Sequence, residues 1–322
     1  MIPSRLAVIF GVSILGICFA ADAQQTGKVW RIGVLKPERP GALEALVDGL
    51  REHGYVEGRN LVLEHRRFTK GDQVPTLAAE LVQLNLDVIV SGTGRGTFGL
   101  KAATRTVPIV MANSADAVAQ GLIASLARPG GNVTGFTIIS PELAAKRLEI
   151  LMEAAPRATR IAVLGCQAED PVSKGQWLQV QSVGQRRGIH LVPVFIRQPD
   201  EFSTAFDSAM RQKIEAVLVF DCGALPRSER VTGLVNKSRI PAMYPFPRYV
   251  QAGGLMAYGP NTVQQYRRAA VYVDKILKGA KPSELPVEQP TEIELIISLR
   301  TAKALGLTIP TSVLVRADQV IQ

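Results

Sequence analysis

Cysteine, histidine and aromatic residues are all scarce in this chain, which has three Cys, three His and 6% Phe, Trp and Tyr among 322 residues. The three histidines, His53, His65 and His190, stand far apart with no metal-ligand spacing, so they read as surface or packing residues. A Gly-x-Ser-x-Gly elbow, a His-Glu-x-x-His helix and a Walker loop are all missing, and no nucleophile stands beside a base, so no enzyme is expected. The 37 Lys and Arg outnumber the 28 Asp and Glu, leaving +9, but they fall singly or in pairs such as Arg66-Arg67 and Arg186-Arg187. Without a basic cluster interleaved with stacking rings, nucleic acid is not an expected partner. After the first two dozen residues no apolar run approaches the ~20 residues of a membrane helix.

What is present begins with a leader. Arg5 precedes an uncharged run from Leu6 to Ala21 that ends in Ala21-Asp22-Ala23, a small-x-small signal. The run is too short to span a bilayer comfortably, so residues 1–23 read as a removable export peptide and the mature chain starts near Gln24. Cys18 would leave with it, since Ile17 stands where a lipid-anchor cysteine wants a small neighbour. The expected location is periplasmic.

A content of 47% hydrophobic residues supports a large core, and the length suits two lobes. From Trp30 onward, short apolar runs alternate with segments of helical period. Trp30 to Leu35 is a strand, and Leu43, Leu46, Val47 and Leu50 then share a helix face. Leu61 to Phe68, Asp87 to Gly92 and Pro108 to Ala112 continue the strands, followed by an expected helix over Asp116 to Arg128. This is the βαβ rhythm of a parallel sheet covered on both faces. The glycines and proline of "RPGGNVTGFT" (Arg128 to Thr137) suggest a segment crossing between lobes. The rhythm then resumes through strands at Arg160 to Gly165, His190 to Ile196, Ala216 to Cys222 and Ala242 to Phe246. A second break at Gly253-Gly254 precedes Leu255 to Tyr258 and a helix over Val263 to Lys278, and a Pro-rich connector over Lys281 to Pro290 leads to a last strand. The expected division is residues 28–136 plus 254–287 in one lobe and 137–253 plus 288–322 in the other, with three crossings and a cleft between.

One stretch carries a competing reading. "DVIVSGTGRGTFGLKAAT" leads a strand through Gly94-x-Gly96-x-x-Gly99 into a helix, with Asp116 further on, as in a dinucleotide site. The loop follows the third strand instead of the first, however, and Arg95 and Phe98 fill its variable positions. The same helix start, with Ser91 and Thr93, suits a small anionic group, or is a tight turn with no ligand at all. No NAD or other cofactor is expected.

With Cys18 removed, Cys166 and Cys222 remain, each at the carboxyl end of an expected second-lobe strand. In a 2-1-3 strand order those strands are neighbours roughly 5 Å apart, so the two cysteines fall within disulfide range. The alternative is two unrelated thiols.

"GYVEGRNLVLEHR", "LARPGGNVTGFT", "ELAAKRLEIL", "GGLMAYG", "ILKGAKPSELPVEQPTEIELIISLRTAKALGL" and "VLVRADQVI" together resemble the ABC-transporter substrate-binding protein family that includes tryptophan and tyrosine binders. The resemblance implies a type I periplasmic-binding fold, α/β with two Rossmann-like lobes, a central cleft and three crossovers. It also implies a small-molecule ligand, an inner-membrane permease driven by a cytoplasmic ATPase, and action as a monomer. An extracytoplasmic sensor subunit would use the same fold.

Ligands of open α/β sheets sit beyond the carboxyl ends of the strands. In the first lobe that edge offers Lys36, Ser91, Thr93, Asn113, Ser114 and Asp116; in the second, Gln167, Asp170, Asp221 and Tyr244. Thr137 lies on the first crossing and Arg248 near the second. Hydroxyls for a carboxylate, Asp116 or Asp221 for an ammonium and Tyr244 for packing would suit an amino acid, with an aromatic one leading. By the resemblance, the loops at 91–97 and 113–118 contact ligand. Two cleft loops depart from the family pattern: Lys36-Pro37-Glu38-Arg39 replaces small residues, and Cys166-Gln167-Ala168-Glu169-Asp170-Pro171 replaces an Asn-Pro-Asn type loop.

Overall fold

The computed structural model describes residues 28–37, 41–167 and 169–322, so the export-peptide reading and Glu38-Arg39 lie outside the described residues. The first part of the chain winds β1 (Trp30–Pro37), α1 (Ala42–Glu52), β2 (Leu61–Phe68), α2 (Val74–Val82), β3 (Val88–Ser91), α3 (Gly94–Ala103), β4 (Ile109–Ala115) and β5 (Val133–Ile138). These five strands form one sheet in the order β2-β1-β3-β4-β5, every pair parallel. β3 is buried along its whole length, because helices cover both faces and a parallel sheet has no wet side.

The second part runs α4 (Ser140–Ala154), β6 (Arg160–Cys166), α5 (Pro171–Arg187), β7 (His190–Ile196), α6 (Phe202–Met210), β8 (Ala216–Val219), α7 (Ser228–Lys237), β9 (Ala242–Tyr244), α8 (Pro247–Gln251) and β10 (Met256–Gly259). After α9 (Thr262–Leu277) come β11 (Glu294–Ser298), α10 (Leu299–Leu305), α11 (Thr311–Leu314) and β12 (Gln319–Ile321). The second sheet has the order β12-β11-β10-β9-β8-β6-β7, with β11 antiparallel to β10. Each sheet has its own pair of apolar layers. Ile32, Leu46, Val88 and Val273 lie in one layer of the first sheet, and Leu35, Leu81, Ile89 and Met111 in the other. Phe202, Val217 and Val235 flank one face of the second sheet, and Leu148, Val163 and Phe220 the other.

The chain passes between the sheets at 138–140, at 259–262 and between 288 and 294. α9 returns to the first sheet: its Ala269, Ala270 and Val273 share a core layer with Leu46 and Leu50 of α1.

Three expectations change. Val133 to Ile138 is not a crossing segment but strand β5, whose Gly135 at φ 118° lies against the Met111 backbone, where a side chain would not fit. Leu255 to Tyr258, assigned to the first lobe, supplies β10 of the second sheet, because Met256 and Ala257 pair with β9 while Met256 to Gly259 pair with β11. Residues 116–128 form turns and bends instead of a helix: Gly121 takes φ 67°, and the Lys101 ammonium binds the carbonyls of Gly121 and Leu122 that a helix would use.

Candidate functional site

The carboxyl ends of both sheets meet at the first crossing. The backbone N–H of Asp116, just beyond β4, donates to the Ile138 carbonyl at 2.9 Å. Two residues further along, the Ser140 hydroxyl donates to Asp221 Oδ2, beyond β8, at 3.3 Å. Asp116 and Asp221 are thereby tied to opposite ends of the 138–140 segment.

In the first-sheet half, the Ser91 hydroxyl donates to the Thr93 carbonyl at 3.1 Å and accepts from Thr97 Oγ1 at 2.9 Å. Its single hydrogen is committed, so Ser91 shapes the loop. Thr93 Oγ1 accepts the Gly96 N–H at 3.1 Å and caps α3, but keeps its own hydrogen to donate outward. Gly99 packs on Val74, so the glycine-rich turn serves the α2–α3 contact. Asn113 and Ser114 are buried at the end of β4, and the Ser114 hydroxyl has no hydrogen-bond partner. Lys36 is buried at the end of β1 beside Gly92, where any side chain would collide with the Tyr266 hydroxyl arriving from α9.

The Asp116 loop is held under local strain. Asp116 has φ 38°, a left-handed conformation that costs a non-glycine residue on the order of 1 kcal/mol. The surrounding bonds enforce it: Asp116 Oδ1 accepts from the Ala119 N–H at 3.1 Å, and Thr137 Oγ1 accepts from the Ala117 N–H at 2.8 Å. Thr137 is thus a brace between β5 and this loop.

In the second-sheet half, Gln176 of α5 clamps the backbone of Asp221 from both sides, accepting from its N–H and donating to its carbonyl, each at 3.1 Å. Cys166 and Cys222 are joined by a disulfide, Cα atoms 5.4 Å apart, which ties the Gln167 loop to the Asp221 loop. Gln167 is half-buried. Asp170 accepts the Ser173 N–H at 2.8 Å and caps α5. Tyr244 ends β9, but its ring is turned into the protein and offers no open packing surface. It is 0% exposed, stacked on Tyr249 with centroids 5.0 Å apart, and burial raises its hydroxyl well above the ordinary tyrosine range. Arg248 lies over the rings of Phe246 and Tyr249, at 4.2 and 5.0 Å from their centroids.

Sequence reasoning missed three groups here. Arg147 of α4 is 0% exposed and donates through Nε to the Tyr258 carbonyl at 2.6 Å and through Nη2 to the Pro245 carbonyl at 3.3 Å. Burial pushes its guanidinium down to about 10, against the pull of Asp221, so it stays charged at neutral pH. The clue was its position: it falls seven residues after Ser140 and four before Leu151, on the buried face of the helix. Gln265 and Tyr266 lie on α9, and Tyr266 reaches Gly92, more than a hundred residues away, of which local sequence carries no sign. Both polar atoms of the buried Gln265 amide lack partners. The amide borders a cavity of about 220 Å³ between the second and third crossings, shared with Pro260, Asn261, Arg268 and Glu292.

No group of three His, Cys, Asp or Glu side chains suited to a metal ion occurs among the described residues. No described helix is long and apolar enough to cross a membrane.

The chain has relatives over nearly its whole length. It is 26% identical over 320 residues to the Tyrosine-binding protein of Clostridioides difficile (strain R20291), covering 94% of this chain and 91% of that protein. A conserved domain protein from Vibrio cholerae, solved by crystallography, is 27% identical with a TM-score of 0.84, covering 91% of this chain and 100% of its own. The ABC domain from Streptococcus pneumonia solved in complex with L-Trp is 26% identical with a TM-score of 0.83, covering 91% of this chain and 99% of its own. The two-lobed α/β architecture is the type I periplasmic-binding fold. The family model described as ABC transporter substrate binding protein matches residues 34–321, and the chain belongs to that family.

Proposed function

We propose that this protein captures an amino acid, with aromatic ones foremost, outside the cytoplasm and delivers it to a membrane permease driven by an ATPase. The observation that carries this reading is the convergence of Asp116 and Asp221, from different sheets, on the 138–140 crossing. A zwitterion seated there finds carboxylates for its ammonium, and the Thr93 hydroxyl at the start of α3 with the Ser114 hydroxyl at the end of β4 for its carboxylate. The relatives that bind tyrosine and L-Trp support an aromatic side chain. Contacts to both lobes favour the shut form, in which Lys36, Asn113 and Thr137 wall one side and Gln167, Asp170 and Arg248 the other. Tyr244 and Ser91 belong to the frame behind these walls. The lobes divide at the three crossings: 28–138 with 262–288, and 140–259 with 294–322. The working unit is a monomer.

A thermal-shift screen over amino acids, nucleosides, sugars and small acids tests this. A ligand at a hundredfold excess over Kd stabilises the fold by about 2.7 kcal/mol, a readily measured rise in Tm. Stabilisation by tyrosine or tryptophan supports the reading; stabilisation by sugars or nucleosides alone overturns it.

A further inference from the structure

We propose that Arg147 is the positioning residue of the second-lobe half of the site, acting through Asp221, and this rests on the amino-acid reading above. α4 begins at Ser140, whose hydroxyl meets the Asp221 carboxylate at 3.3 Å, and Arg147 lies two turns further along the same buried face. Its fork gathers the ends of two strands, taking the carbonyl of Pro245 after β9 at 3.3 Å and that of Tyr258 in β10 at 2.6 Å. The first strand end leads to Arg248; the second, through Gly259, leads into the return crossing. Gly259 has no room for a side chain between the Pro245 carbonyl and Arg147 Nη2. One buried cation therefore holds a ligand loop and a crossing in fixed relation and attracts the third partner, Asp221.

Stability alone is a weak reason for such a group. A charge in a fully buried place loses its hydration, and a well-packed apolar side chain of similar size often serves the fold as well or better. Arg147 also keeps one buried donor, Nη1, with no hydrogen-bond partner, so the fold leaves part of its bonding capacity unused. Its work lies in orienting charge: the guanidinium attracts the Asp221 carboxylate, which the Ser140 hydroxyl at the α4 N-terminus meets at 3.3 Å, and together they fix it beyond β8.

The test is a double-mutant cycle read by calorimetric titration of the exported protein with L-tyrosine and L-tryptophan: wild type, R147M, D221N and the pair. If Arg147 acts through Asp221, each single change weakens binding tenfold or more and the double variant is no weaker than the weaker single. R147K, which restores the charge but not the fork, binds more tightly than R147M and more weakly than wild type. If R147M does not fold, R147Q takes its place in the cycle. Losses that multiply in the double variant, or an R147M that binds as wild type does, overturn the assignment while leaving the amino-acid reading intact. A wild type that binds neither amino acid overturns that reading, and this assignment with it.

Discussion

Tyr55 and Asp274 show how single residues fasten the first lobe. The Tyr55 hydroxyl donates to Asp274 Oδ1 at 2.9 Å across the α1–α9 junction, and Lys278 binds the other carboxylate oxygen at 2.9 Å. Burial and this bond push Tyr55 up to about 12. Burial also works to raise Asp274, but the Lys278 and Tyr55 bonds outweigh it and hold the carboxylate below its ordinary 3.8. A group depressed in this way contributes stability above the unfolded value and loses it as pH falls through the folded one. Urea denaturation of Y55F at pH 7 is expected to show a loss of about 1–3 kcal/mol. D274N is also less stable than wild type at pH 7, and the gap closes on acidification below the ordinary carboxylate range. Asp116 separates charge from shape in a similar way. D116N tolerates φ 38° and keeps an acceptor for the Ala119 N–H, so its Tm stays near that of wild type. If the Asp116 charge meets the ligand ammonium, the ligand-induced Tm shift collapses; an undiminished shift removes Asp116 from that role.

Among elements, the joined ends of β6 and β8 make the sharpest case. The disulfide closes a loop of sequence separation 56, and removing it by C166S/C222S is expected to lower stability by about 2–4 kcal/mol, measured by chemical denaturation with and without reductant. That pairing was legible because strand order alone sets neighbours, and β6 does lie between β7 and β8. The strands β2 and β7, read from apolar runs at Leu61 to Phe68 and His190 to Ile196, were legible for the same local reason. β5 was not, since its Gly135 looks like a break until the Met111 backbone is seen against it. The 116–128 segment misled in the opposite sense: its apolar spacing suits a helix, but Asp116, Thr137 and Lys101 take over the backbone groups. For the site, strand ends exposed the candidate loops, whereas the direction of a side chain was hidden. Nothing local to Tyr244 shows that Tyr249 and α8 enclose its ring. Arg147 was hidden in the reverse way, as a charge in a helix whose other residues there are apolar.

On the scale of the molecule, the described chain passes between the two sheets at 138–140, 259–262 and 288–294, and if these three straps form a hinge, the lobes close on ligand as rigid bodies. Small-angle scattering is expected to show a smaller radius of gyration once tyrosine or tryptophan saturates the protein, with no change for a solute that gives no thermal shift. An unchanged radius at saturation would mean capture without closure. The topology has a further consequence for how such a chain is made. The first layer is incomplete until α9 is synthesised, and the second until β12 pairs with β11. Each half therefore completes its core only late in synthesis, so the folding of either one waits on segments far downstream of its first strand.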